Sequence, residues 1–216
     1  MNFTKIDLDN WDRKEVFNHF LNQQTTFSLT TEIDVSALYQ NIKQNKYKFY
    51  PAFIYLVAKV INSNITFRTG FNSKGELGYW DKLDPLYTIF DDVSKTFSGI
   101  STPVKDDFKE FYHLYLSDVE KYNGTGKLFP KTPIPENTFS ISVIPWTSFT
   151  GFNLNINNNK DYLLPIITAG KFIQKGNSIY LPLSIQVHHS VCDGYHVGLF
   201  INTIQELSNR PNDWLF

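Results

Sequence analysis

Apolar and polar positions recur along the 216-residue chain with two different periods, and the periods mark out its elements. Helical spacing first shows in Val16, Phe17 and Phe20, with Asp12 placed to cap the helix that they predict. Phe27, Leu29, Thr31 and Ile33 alternate instead, predicting a strand with one buried face. Pro51 stands where a helix can begin, ahead of Phe53, Ile54, Val57, Ala58 and Ile61. Thr66 to Thr69 and Glu76 to Trp80 flank Asn72-Ser73-Lys74-Gly75 as the arms of a hairpin, and a strand follows at Leu86 to Phe90.

In the second half, Phe108, Phe111, Tyr112, Tyr115, Leu116 and Val119 form the apolar stripe of a long helix. Thr138 to Ile144 alternates and stops at Pro145. Ile166 to Ile173 and Ser178 to Val187 bracket Lys175-Gly176-Asn177 as a second hairpin, with Pro182 indicating an edge position or a bulge. Val197, Phe200, Ile201 and Ile204 return to helical spacing. Strands adjoin strands while helices come at intervals. This order predicts one α+β domain over residues 1–216, a two-layer sandwich rather than a strictly alternating parallel fold.

Composition narrows the function classes. Twenty Lys and Arg against 21 Asp and Glu leave a net charge of −1, with no electrostatic footprint for nucleic acid or an anionic membrane. Hydrophobic residues at 42% and aromatics at 16% supply a core that needs no staples. Cys192 is the only cysteine, which rules out an internal disulfide framework and a Cys-rich zinc module. The run Phe53 to Val60 is too short to span a bilayer, and Met1 to Asp7 lacks the apolar core of a signal peptide, so a cytoplasmic protein is expected.

The candidate chemistry is concentrated in His188-His189-Ser190-Val191-Cys192-Asp193-Gly194-Tyr195-His196, between an alternating strand and a helix. Three readings stand for it. It is a polar strand end, a metal site, or the seat of a general base. The metal reading suffers because adjacent strand residues point to opposite faces, so His188 and His189 do not easily share an ion. The base reading rests on a neutral imidazole accepting a proton at neutral pH, with a carboxylate four residues on bracing its loop.

The run His188-His189-x-x-x-Asp193-Gly194 resembles the His-His-x-x-x-Asp-Gly signature of CoA-dependent acyltransferases. Asn10-Trp11-Asp12-Arg13-Lys14-Glu15, Lys48-Phe49-Tyr50-Pro51, Pro135-Glu136-Asn137, Ile141-Ser142, Pro145-Trp146 and Phe152-Asn153-Leu154-Asn155 extend the resemblance, in order, to the chloramphenicol acetyltransferases. The resemblance implies a mixed, largely antiparallel sheet, and direct transfer of the acetyl group of acetyl-CoA to the primary 3-hydroxyl of chloramphenicol. It makes His189 the general base and Ser142 the hydrogen-bond donor to the tetrahedral oxyanion. Thr168 would hold a water nearby, and Asp193 with Arg13 would form a salt bridge that holds the loop. His188 and His196 are read as structural. Cys192 reads as a small packed residue, and whether a thiol so near the base is open to alkylating reagents is not decided by the sequence.

By the same resemblance, Phe20, Phe27, Phe97, Phe129, Leu154, Tyr162 and Ile166 line the chloramphenicol pocket. Lys48, Phe49, Tyr50, Trp146, Phe152, Lys171 and Phe172 take acetyl-CoA, a co-substrate; no permanently bound cofactor and no metal is implied. Phe20 and Phe172 stand where some relatives carry tyrosine, so any hydrogen bond of those tyrosines is lost. One copy of the domain has a single wall, so the resemblance implies a homotrimer with a site at each interface. Two alternatives remain: an acyltransferase for another acceptor, such as a dihydrolipoyl thiol, and a non-catalytic drug binder.

Overall fold

The apolar run that follows Lys48 winds into the central helix, because almost every residue from Pro51 to Ile61 finds cover there. Pro51 lies in its first turn, where a missing backbone N–H costs no hydrogen bond. The computed structural model describes residues 2–154 and 162–216. Its elements begin with β1 (Phe3–Lys5), α1 (Lys14–Asn22), β2 (Thr26–Asp34), α2 (Ser36–Gln44), α3 (Phe49–Asn62), β3 (Thr69–Phe71), β4 (Leu77–Trp80) and β5 (Asp84–Asp91). They continue with β6 (Thr96–Ser101), α4 (Phe108–Tyr122), β7 (Thr138–Val143), β8 (Ile166–Ala169), β9 (Ile173–Lys175), β10 (Ser178–His188), α5 (Gly194–Asn209) and α6 (Asn212–Leu215).

The main sheet has the order β2–β10–β8–β7–β5–β6, with β9 also paired to β10. Only β5/β7 and β7/β8 run parallel among its pairs, which matches the mixed, largely antiparallel sheet expected. A small antiparallel sheet, β1–β4–β3, stands apart. Helices α2, α3 and α5 pack on one another and on the main sheet, with α4 against α3 and β6. Along β10, Leu181, Leu183, Ile185 and Val187 are buried in the common apolar core. The alternate residues Ser184, Gln186 and His188 are buried too, on the opposite face. On that face Thr30, Ser184, Thr168 and Ser142 stand directly opposite one another across four strands. Among the described residues, no helix is long and apolar enough to cross a membrane.

Several expectations need correction. Arg13, not Asp12, is the N-cap of α1, which begins at Lys14. The first arm of the early hairpin is Thr69–Phe71, since Ile65–Arg68 turns as a 3-10 helix. Ile166 to Ile173 is not one strand but β8 and β9, and Pro182 explains the break. Pro182 is no edge residue: β10 has partners on both sides. Gly170, Lys171 and Phe172 bulge opposite Leu181 and Pro182, and the Gly170 N–H donates to the Pro182 carbonyl at 2.9 Å. The bulge therefore falls on the side where proline has no N–H to offer. The pattern did not predict β1, α2, β6 or α6.

The outer strand β6 is covered by the chain that follows α4. The Lys127 carbonyl accepts from Ser98 Oγ at 2.6 Å, and the Leu128 carbonyl accepts from the Gly99 N–H at 2.7 Å. The Phe129 ring packs closely on Gly99, where an added Cβ would meet it at 2.8 Å and force the ring to shift.

Candidate active site

Five residues join the end of β10 to the start of α5, and they hold His189 in one orientation. Its backbone N–H donates to the Thr25 carbonyl at 2.8 Å. Its ring Nδ1 lies 3.0 Å from the Cys192 carbonyl. A carbonyl oxygen has no proton to give, so Nδ1 carries the hydrogen, and in the neutral imidazole the lone pair lies on Nε2. Phe20 stacks on the imidazole at 3.8 Å between centroids, 14° from parallel, and Phe27 meets it edge-on at 5.2 Å. The side chain keeps 30% of its exposure, enough for a substrate to reach it.

Arg13, at the head of α1, ties this loop down. Its Nη1 and Nη2 donate to the two Asp193 carboxylate oxygens at 2.7 and 2.6 Å. Nε donates to the Ser190 carbonyl at 2.7 Å, and Nη2 also donates to the His189 carbonyl at 3.0 Å. One planar guanidinium thus holds the carboxylate and two loop carbonyls together. The Arg13 hydrogen bonds hold the Asp193 carboxyl below its ordinary range. Asp193 Oδ1 lies 3.5 Å from His189 Nδ1, and in this geometry it braces the loop rather than the ring.

The neighbouring histidines bond to loop atoms through Nδ1, while the buried His188 Nε2 has no partner among the described residues. His188 is buried, its Nδ1 facing the Ser190 hydroxyl at 2.7 Å and accepting from the Ser190 N–H at 3.2 Å. His196 Nδ1 accepts from the Asp193 N–H at 3.1 Å. Burial lowers the pKa of both. The fold therefore refuses protons that the unfolded chain accepts below a pH of about 6.5, and stability declines as pH falls through that value. Thermal melts from pH 7.5 to 5.5 check this: Tm should fall, and a flat profile would remove these histidines as its cause. Cys192 is buried, as expected of a small packed residue, and burial pushes its thiol pKa well up. Among the described residues, no group of three His, Cys, Asp or Glu side chains is placed to hold a metal ion.

Ser142 and Thr168 form a second centre. They are register partners on β7 and β8, with their hydroxyl oxygens 3.3 Å apart. Within one chain this centre does not meet the first. Thr168 is paired to Ser184, and His189 lies five residues further along the β10 direction, two strand spacings over from β7. At about 3.3 Å per residue and about 4.8 Å per strand, the Ser142 and His189 Cα atoms are roughly 15–20 Å apart.

The remaining candidates fall into separate groups. Tyr162 reaches the Ser140 hydroxyl at 3.2 Å, and Ile166 is buried opposite Gln186. Leu154 is bound through its backbone to Gln186, and Phe152 packs against Phe149. Tyr50, Phe97 and Trp146 line one groove of about 530 Å³, so residues expected on the acceptor and CoA sides share a cleft. Phe49 and Phe172 meet edge to face at 4.7 Å beside Tyr39, away from that groove. Lys48 and Lys171 are exposed, and Phe129 lies on Gly99. Asn155 lies outside the described residues.

The sequence reading missed Thr30, Ser184 and Gln186, which hold the segment at Phe152–Leu154 by their side chains. It also missed Thr88, Phe90 and Asn123 in the groove. Polar positions in alternating strands carry the signal for a wet face, and nothing local reveals that another segment covers it.

Comparison with known proteins shows the family and the fold. The family model described as chloramphenicol acetyltransferase matches residues 1–205. A curated chloramphenicol acetyltransferase of Staphylococcus aureus is 84% identical over 215 residues, covering 100% of both chains. One from Clostridium butyricum is 49% identical over 216 residues, covering 100% of this chain and 99% of its own. A solved chloramphenicol acetyltransferase superposes with a TM-score of 0.87 at 24% identity, over 95% of this chain and 99% of that one. The cubic core of a pyruvate dehydrogenase multienzyme complex shares the fold, with a TM-score of 0.70 at 14% identity over 94% and 88% of the two chains. By full-length identity and family model together, this chain belongs to the chloramphenicol acetyltransferase family of enzymes.

Proposed function

We propose that the chain acetylates the primary 3-hydroxyl of chloramphenicol with acetyl-CoA, inactivating the antibiotic, and that His189 Nε2 is the base. The observation that carries the mechanism is the Nδ1 contact to the Cys192 carbonyl, which in the neutral imidazole directs the lone pair to Nε2, on a ring held by Phe20 and by Phe27. As the acceptor oxygen attacks the thioester carbonyl, its proton passes to Nε2 and the carbonyl electrons move onto oxygen. The Ser142 hydroxyl donates to that oxyanion, with Thr168 beside it. Collapse breaks the C–S bond, and the imidazolium returns the proton to the CoA sulfur. No acyl-enzyme is needed, because both substrates are held together.

The separation of Ser142 from His189 supports a site shared between copies. A closed ring of three gives each His189 a neighbour's Ser142 without open-ended growth. Phe20, Phe27, Phe97, Phe129, Leu154, Tyr162 and Ile166 are assigned to the acceptor. Lys48, Phe49, Tyr50, Trp146, Phe152, Lys171 and Phe172 are assigned to acetyl-CoA, whose supply puts the reaction in the cytoplasm. The exposed lysines suit phosphate, and the aromatics suit an adenine ring.

A thiol-release assay with acetyl-CoA and chloramphenicol tests the activity, and light scattering tests the assembly. Turnover should depend on both substrates, and the active species should weigh three chains. Absence of turnover would leave a drug binder, and a fully active monomer would refute the shared site.

A further inference from the structure

The segment Phe152–Leu154 crosses the polar face of the main sheet without joining it as a strand, and side chains do the work of a ladder. Gln186 does most of it. Its carboxamide oxygen accepts from the Leu154 N–H at 2.9 Å, and its carboxamide nitrogen donates to the Leu154 carbonyl at 2.7 Å. The Leu154 N–H can only donate and the Leu154 carbonyl can only accept, which fixes the orientation of the amide, and the same Gln186 oxygen also accepts from Ser28 Oγ at 3.3 Å. Two residues earlier, Thr30 Oγ1 accepts from the Phe152 N–H at 3.3 Å and Ser184 Oγ donates to the Phe152 carbonyl at 2.9 Å. Gln186 is 9% exposed, so water does not replace these bonds. Leu154, in contrast, is 46% exposed, and its apolar side chain is turned outward from a backbone held on both sides.

We propose that Gln186 is a positioning residue for the acceptor. Its amide imitates the paired N–H and C=O of a neighbouring strand, and so fixes where the Leu154 side chain meets the apolar part of the acceptor alcohol. The inference rests on the assignment of Leu154 to the acceptor pocket. Gln186 touches neither substrate, and it acts only through the Leu154 backbone. Leucine in its place removes both bonds while filling the space. Glutamate keeps the acceptor for the Leu154 N–H but sets a second oxygen against the Leu154 carbonyl.

Two measurements on the intact assembly test this. In steady-state kinetics, Gln186→Leu and Gln186→Glu should each raise KM for chloramphenicol about tenfold, the worth of one or two ordinary hydrogen bonds. KM for acetyl-CoA and kcat should move less than about threefold. In hydrogen exchange, the Leu154 amide should exchange faster in Gln186→Leu and stay protected in Gln186→Glu. Equal rises in both KM values, or an unchanged acceptor KM beside faster exchange at Leu154, would overturn the proposal. A wild-type chain that turned over acetyl-CoA with another acceptor but not with chloramphenicol would overturn the functional reading instead, with the exchange result still reporting the clamp.

Discussion

Replacing His189 by alanine should lower kcat about 10²–10⁴-fold, the usual contribution of a positioned base to transfer from an unactivated alcohol. The loss belongs to chemistry rather than folding. His189 is partly exposed, and what shapes the loop is the backbone: its N–H donates to the Thr25 carbonyl, and its carbonyl accepts from Arg13. Both contacts survive the substitution. Affinity for acetyl-CoA should therefore stay near that of the intact protein, and Tm should shift little. Thiol release under saturating substrates measures kcat, and calorimetric binding of CoA supplies the control. A variant keeping more than about a tenth of the rate would eliminate the imidazole as base. Asp193 offers no substitute, since both of its oxygens are held by Arg13.

Ser142→Ala should cost about 10²–10³ in kcat and little in either KM, because in the proposed mechanism the hydroxyl meets negative charge that exists only as the tetrahedral species forms. The methyl group fits where Cβ already stands, so β7 keeps its pairing with β5 and β8. Thr168 does not take over, because its place across from Ser184 on β8 fixes its oxygen 3.3 Å from the lost hydroxyl. If the variant instead raised KM with kcat intact, Ser142 would be a ground-state binding group and the oxyanion role would be void.

Elements were readable in the sequence where one strong period ran long enough. The stripe on α4 is such a case, with Phe108, Phe111, Tyr112 and Tyr115 all buried as the spacing requires. By contrast, α2 buries only Leu38 and Ile42, too few apolar residues to show a period. The sequence of β6, Thr-Phe-Ser-Gly-Ile-Ser, has weak strand propensity, and it is set by β5 on one side and residues 127–129 on the other. Of the site, the His189 loop is local and its signature is readable. Arg13 meets Asp193 across 180 residues, so only family resemblance could pair them from sequence. Gln186 and Ser184 sit at alternating polar positions that look solvent-facing, and only the fold brings Phe152 and Leu154 over them.

The gap of 15–20 Å between base and serine has a genetic consequence. In the proposed ring of three, each polypeptide would lend half of its machinery to one neighbour and borrow the other half from the next. On that proposal, defects at His189 and defects at Ser142 would belong to different complementation groups within one gene. Two inactive alleles, one of each kind, reconstitute about one working interface in four when co-expressed and mixed at random. Two alleles damaged in the same half never do.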